Sequence, residues 1–126
     1  MKFHHIAFSV KDLSVTADFY VQFFGFEKVR EFTKPGWDGK ALILRRKELQ
    51  LELFHFNNQV QRKDNLSDFH VLGFNHLSFE VKSVDKTSKL FKEKGIDIDK
   101  PEKGTTCTKF CFLRDPDGIP IELYEA

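Results

Sequence analysis

Cysteine is scarce in this chain: two in 126 residues, Cys107 and Cys111. They stand four apart in a stretch that reads as one strand, and same-face strand neighbours do not close a disulfide easily. Two free thiols suit a reducing compartment. Net charge is also lacking. Twenty Lys and Arg stand against 19 Asp and Glu, for a balance of +1. That gives no electrostatic case for a nucleic acid or an anionic membrane as partner. No apolar run approaches the length of a membrane span. The N-terminus enters a patterned strand directly, without the apolar stretch of a secretion signal. These absences make the cytoplasm the expected location and leave a small molecule as the expected partner.

Tyr and Trp are rare as well, at two and one, whereas Phe occurs 15 times. Phe brings bulk without a polar handle, so a Phe-rich core is expected, with a Phe-lined cavity as a further possibility. At 126 residues, with 40% apolar and 31% charged, the chain suits one soluble domain with a real core.

Residues 3–10 alternate as a strand, with Ile6, Phe8 and Val10 on one face and His5, Ala7 and Ser9 on the other. Asp12 is placed to cap a helix over 13–24, and Gly25 to end it. Strands follow near 26–33, 40–46 and 49–56, the first two separated by a turn at Lys34-Pro35-Gly36. In the third, Leu49, Leu51, Leu53 and His55 share one face, and Gln50, Glu52, Phe54 and Phe56 the other. Residues 57–73 have no clean period. They read as a linker that could hold a helical turn or act as a lid or arm.

After Gly73 the pattern restarts. A strand is expected over 74–81, a helix over 83–94 with Ser83 or Asp85 as cap, and strands near 96–99, 106–113 and 119–124. Val84, Leu90 and Phe91 are the apolar residues of that helix. The turn Asp115-Pro116-Asp117-Gly118 fits type I, with Pro second and Gly fourth. The strand after it carries Ile119, Ile121 and Leu123 on one face, with Pro120, Glu122 and Tyr124 on the other.

The restart is an internal repeat. The run from His5 to Lys11, HIAFSVK, aligns with HLSFEVK from His76 to Lys82 at an offset of 71. Leu51-Glu52-Leu53-Phe54 aligns with Ile121-Glu122-Leu123-Tyr124 at an offset of 70. The chain therefore reads as an α+β protein: one domain, 1–126, of two βαβββ modules, 1–56 and 74–126. Each module has one His on its first strand and one Glu in an apolar frame on its last. The apolar positions must face the helix. His5, Glu52, His76 and Glu122 are then expected on the sheet faces that the helices leave bare, inside a trough formed by two curved sheets.

A lone strand His or Glu is ordinarily a packed or solvated residue. The same two types recurring in matching frames favour a ligand set. Two imidazoles and two carboxylates suit a divalent transition metal with open positions for water or substrate oxygens. His4, His55 and His70 have no repeat partner and are read as ordinary residues, and the two cysteines as buried thiols.

The segments HHIAFSVKDLSVTADFYVQFFGFE, NHLSFEV and FLRDPDGIPIELYE resemble the vicinal oxygen chelate superfamily, the glyoxalase/bleomycin-resistance/extradiol-dioxygenase group. The resemblance spans essentially the whole chain. It implies paired βαβββ modules forming a curved mixed-sheet cleft, commonly in a homodimer. The set His5, Glu52, His76 and Glu122 is most like bacterial glyoxalase I, as is residues 101–118. That implies a lactoylglutathione lyase-like enzyme with a divalent metal, Ni or Zn first, then Fe, Mn or Co. Its substrate would be a hemithioacetal or a related α-hydroxycarbonyl, converted through an enediolate held at the metal. Glu122 is the first choice of catalytic base and Glu52 the second. Phe54, Phe110, Phe112 and Ser9 are the candidate substrate pocket, with strand parity expected to admit only some of the three Phe. Ser9 stands where bacterial glyoxalase I carries an Arg for the glutathione carboxylate, and Phe56 where it carries an Asn, so other thiol or acyl carriers stay open. The alternatives are a non-enzymatic small-molecule (antibiotic) binding module, and a dioxygenase or epimerase of the same superfamily.

Overall fold

The alternation and capping signals set the element order. The computed structural model describes residues 1–63 and 68–126. Its elements are β1 (Ile6–Ser9), α1 (Leu13–Phe24), β2 (Glu27–Phe32), β3 (Gly39–Arg46), β4 (Leu49–Phe56), β5 (Leu77–Glu80), α2 (Val84–Glu93), β6 (Glu102–Lys103), β7 (Lys109–Arg114) and β8 (Pro120–Glu125). They fall into two compact units, Met1–Gln61 and Arg62–Ala126. Each unit is βαβββ and α+β, as the repeat requires.

In the first unit the sheet order is β1-β4-β3-β2, and in the second β5-β8-β7-β6. The first and last strands of each module pair in parallel, and the remaining pairs are antiparallel. The helix supplies the crossover that parallel pairing needs. The two halves agree in detail: Val10 N–H donates to the Phe54 carbonyl at 2.7 Å, and Val81 N–H to that of Tyr124 at 2.8 Å.

Asp12 caps α1 by accepting from the Val15 N–H at 3.0 Å, and Gly25 follows at φ 70°, in the left-handed region that glycine tolerates. Thr16, Ala17, Phe19, Tyr20 and Phe24 form the buried stripe of this helix. Tyr20 packs edge-on against Phe26, with ring centroids 5.8 Å apart, and its ring also meets Phe8 at 5.9 Å. On the sheet side Leu44, Leu51 and Leu53 are fully buried, each contributing about 2 kcal/mol of burial free energy. The second core repeats this with Leu77, Val84, Phe91, Leu113, Ile121 and Leu123.

Ser83, one of the two expected caps, accepts from Lys86 N–H, and Asp85 instead pairs with Lys109 on β7. Buried positions on α2 are Val84, Ser88 and Phe91, spaced four and three. Leu90 falls off that stripe and is exposed. The strand expected near 96–99 is a single bridge, Ile98 to Leu113. Pro101 lacks the N–H a ladder needs, and pairing resumes only at β6. The strand expected from 106 begins at Lys109, because the chain bends through 105–108. Both first strands are also shorter than expected, so His5 and His76 lie one residue ahead of their strands.

The Asp115–Gly118 turn forms as expected, with Gly118 N–H donating to the Asp115 carbonyl at 3.0 Å. The buried Asp115 side chain tightens it by accepting from the N–H groups of Asp117 and Ile119. In the linker, Val71 N–H donates to the Asp68 carbonyl; the lid expectation falls partly on 64–67, outside the described residues. No helix among the described residues is long and apolar enough to cross a membrane.

Candidate functional site

Glu52 and Glu122 occupy matching points of the two parallel ladders. Glu52 stands opposite Ala7, and Glu122 opposite Ser78. In both modules the His lies two residues before that partner, so it shares the carboxylate's face. The side chains meet. His5 Nε2 is 3.2 Å from Glu52 Oε2, and His76 Nε2 is 3.4 Å from Glu122 Oε2. Both carboxylates are mostly covered, at 17% and 18% exposure, and both imidazoles are more open.

The donor chemistry fits a divalent metal. Two ligand atoms each about 2.0–2.2 Å from one ion are themselves about 3–3.4 Å apart, and both His–Glu spacings match that separation. The ring nitrogens away from the carboxylates are also engaged. His76 Nδ1 lies 2.7 Å from Asn75 Oδ1, and His5 Nδ1 2.8 Å from His4 Nδ1. An amide oxygen only accepts, so this contact is a hydrogen bond when Nδ1 of His76 carries the proton. A neutral ring then turns the Nε2 lone pair toward a carboxylate oxygen. Two electron-rich atoms face each other, an arrangement completed by a proton or a metal cation.

Each module thus brings together one His and one Glu. Among the described residues no group of three or more His, Cys, Asp or Glu is placed to hold a metal ion. The expected four-residue set is present as two equivalent halves, because parallel pairing joins only the first and last strands of its own module.

Aromatic rings extend both faces. In the first module Phe54 stands opposite Ser9 and belongs to a cluster with Phe32, Trp37 and Phe56. Trp37 meets Phe56 at 5.1 Å and Phe54 at 5.9 Å, and Lys34 Nζ lies 4.8 Å from the Trp37 ring centre. In the second module Phe112 is paired directly with Glu122, and Phe110 with Tyr124. Phe112 also meets the His76 ring edge-to-face at 5.1 Å. All three expected pocket phenylalanines lie on a carboxylate face, which corrects the expectation that parity would admit only some. Sequence reading missed His4, Asn75 and Trp37. The repeat held the signal for the first two, since it aligns His4-His5 with Asn75-His76. Trp37 sits in a turn, where strand parity does not reach.

A cavity of about 150 Å³ is lined by Phe69, Asn75, Asp99, Phe112, Arg114 and Pro120; Asn75 and Phe112 contact His76, but neither His76 nor Glu122 lines it. A more open groove of about 650 Å³ lies on the helix side of the first sheet, lined in part by Lys11, Leu13, Lys40, Leu42 and His55. It includes neither His5 nor Glu52. His55 faces this side and donates to the Val10 carbonyl at 3.1 Å, while His70 contacts Asp68 at the surface. Cys111 is buried and Cys107 partly covered, both as free thiols. Burial pushes the Cys111 thiol up to about 11.

A sequence model of the Glyoxalase/Bleomycin resistance protein/Dioxygenase superfamily matches residues 2–123. The chain belongs to that superfamily. Among individual relatives, the uncharacterized protein YwkD of Bacillus subtilis (strain 168) is 33% identical over 125 residues, covering 97% of this chain and 94% of that protein. A probable chloroplastic lactoylglutathione lyase of Arabidopsis thaliana is 29% identical over 125 residues. That alignment takes in 96% of this chain but 35% of the plant protein. The crystal structure of a glyoxalase family protein from Enterococcus faecalis superposes with a TM-score of 0.83 at 31% identity, over 98% of this chain and 97% of its own. The glyoxalase-like, vicinal oxygen chelate fold implied by the resemblance is the fold of this protein.

Proposed function

We propose that this superfamily member is a metal-dependent lyase/isomerase of the glyoxalase I type. Its substrate is a hemithioacetal or a related α-hydroxycarbonyl. The observation that carries the reading is the duplicated His–Glu pair, Nε2 to Oε2 at 3.2 and 3.4 Å. The resemblance to a probable lactoylglutathione lyase supports it. His5, Glu52, His76 and Glu122 are the ligands, with Ni or Zn the first choice of ion and Fe, Mn or Co next.

Such an ion, when bound, supplies positive charge to stabilise negative charge developing on two adjacent substrate oxygens. The chain's own residues do the rest. Glu122 removes the proton from the substrate carbon that bears hydroxyl and sulfur, and the neighbouring carbonyl carbon receives it. Hydroxyl and carbonyl exchange places with no net gain or loss of atoms. Glu52 is the second candidate for this base. Phe112, paired with Glu122, and Phe110 line the apolar side of the second module's face and limit water around the carboxylate, which keeps it basic; Phe54, with Ser9 opposite it, is the candidate pocket lining of the first module.

The deciding experiment is metal analysis of protein purified without added metal, repeated on His76→Ala. It is followed by hemithioacetal isomerisation assays of Ni- and Zn-loaded protein with several thiols. Stoichiometric metal, lost in the variant, together with turnover of one hemithioacetal is the expected result. Absence of metal from the native protein removes the reading. Metal without isomerisation of any hemithioacetal turns it toward a dioxygenase or epimerase. The four-ring cluster around Trp37 also suits a non-enzymatic binder of small ring compounds. That competing reading requires ligand binding without metal, unchanged in Glu122→Gln.

A further inference from the structure

Adjacent residues in a pleated strand point to opposite faces, so a contact between side chains 75 and 76 needs the backbone to leave the pleat. It does: β5 begins only at Leu77. Asn75 Oδ1 therefore reaches His76 Nδ1 at 2.7 Å. His76 Nε2, on the other side of the ring, faces Glu122 Oε2 at 3.4 Å. The Phe112 ring, edge-to-face at 5.1 Å, limits rotation of the imidazole. One ring nitrogen thus faces an amide oxygen before any ligand arrives.

We propose that Asn75 is a positioning residue that locks His76 in the Nδ1–H tautomer and so presents its Nε2 lone pair on the Glu122 side. The inference rests on the metal reading above only for what the lone pair is used for. The tautomer itself is a property of the metal-free chain. The first module handles the same position differently. His4 and His5 share an Nδ1–Nδ1 contact at 2.8 Å, in which either ring could donate. An amide gives one answer where a second imidazole gives two. The second half is therefore the one whose donor atom is fixed in advance. Outer hydrogen bonds of this kind typically change metal affinity about 10–100-fold.

The test uses the full-length, metal-free, 15N-labelled protein at about pH 8.5, two units above an ordinary imidazole pKa. Long-range 1H–15N spectra report which ring nitrogen carries the proton, and the His76 signals are assigned by their loss in His76→Gln. The native ring is expected as a single Nδ1–H tautomer. Asn75→Ala is expected to shift it toward Nε2–H, and Asn75→Asp, which keeps an acceptor, to restore Nδ1–H. Zn titrated against a chromophoric chelator should bind tenfold or more weakly to Asn75→Ala, with recovery in Asn75→Asp. An Nε2–H ring in the native protein overturns the proposal even if no variant folds. So does a ring unchanged by Asn75→Ala. If instead the native protein takes up no Zn while the tautomer follows residue 75, the metal reading fails and the positioning role stands.

Discussion

Glu122 and Phe112 are direct partners across the β7–β8 ladder, which places an aromatic ring beside the carboxylate proposed as base. The same ring touches His76. Phe112 therefore links the two polar residues of the second module and shields one side of both.

Glu122→Gln keeps the shape of that side chain and removes its basicity. With metal present, kcat for hemithioacetal isomerisation should fall at least about 100-fold, the usual contribution of a positioned general base. Glu52→Gln should cost more in metal retention than in proton transfer. Steady-state kinetics and metal content measured on the same preparations separate the two. A larger kcat loss in Glu52→Gln than in Glu122→Gln at full metal occupancy would reverse the order of the two candidates.

Asp115 is 5% exposed, and its Oδ1 accepts from two backbone N–H groups, at 2.8 and 2.9 Å. Asp115→Ala strands both donors and should cost about 3 kcal/mol of stability. Asp115→Asn retains an acceptor and should cost less than half as much. Urea unfolding of the three proteins measures the ladder directly. Because this turn starts β8, the alanine variant should also lower kcat by loosening Glu122.

Gly39 pairs with Phe56 at the start of β3, and a Cβ there would lie 2.0 Å from the His55 carbonyl oxygen. Gly39→Ala should destabilise by about 3 kcal/mol, at the upper end for overpacking. Gly36 has open space around it but a φ of 87°, so Gly36→Ala should cost only about 1 kcal/mol of backbone strain. Similar melting temperatures for the two variants would contradict a backbone clash at Gly39.

The Cys111 thiol, buried and raised to about 11, should resist iodoacetamide at pH 8 in the folded protein. Cys107 is partly exposed and should be the site that reacts. Both should react after unfolding, as peptide mass mapping would show. The linkage has a definite sign. A raised thiol pKa contributes stability that is fully present below the unfolded value near 9 and is lost as pH climbs toward 11. Cys111→Ala should flatten that alkaline decline, and an unchanged slope would assign the decline to other groups.

Much of this protein follows from its sequence. Ile6, Phe8 and Val10, and again Leu51 and Leu53, fix which strand face packs on a helix, because a period of two leaves no other choice in a half-buried strand. The 70-residue repeat then carries the same assignment to Ile121 and Leu123, and with it the placement of His5, Glu52, His76 and Glu122 on the bare faces. What only tertiary structure decided lies where that periodicity stops or where register matters. Parity puts His4 and Asn75 opposite His5 and His76, yet both contact them, because each precedes its strand. Trp37 joins Phe54 and Phe56 from a turn. Phe112 meets Glu122 because antiparallel pairing sets one register out of several that the alternation alone would permit. A period specifies the face; the partner on that face is chosen by the ladder that forms.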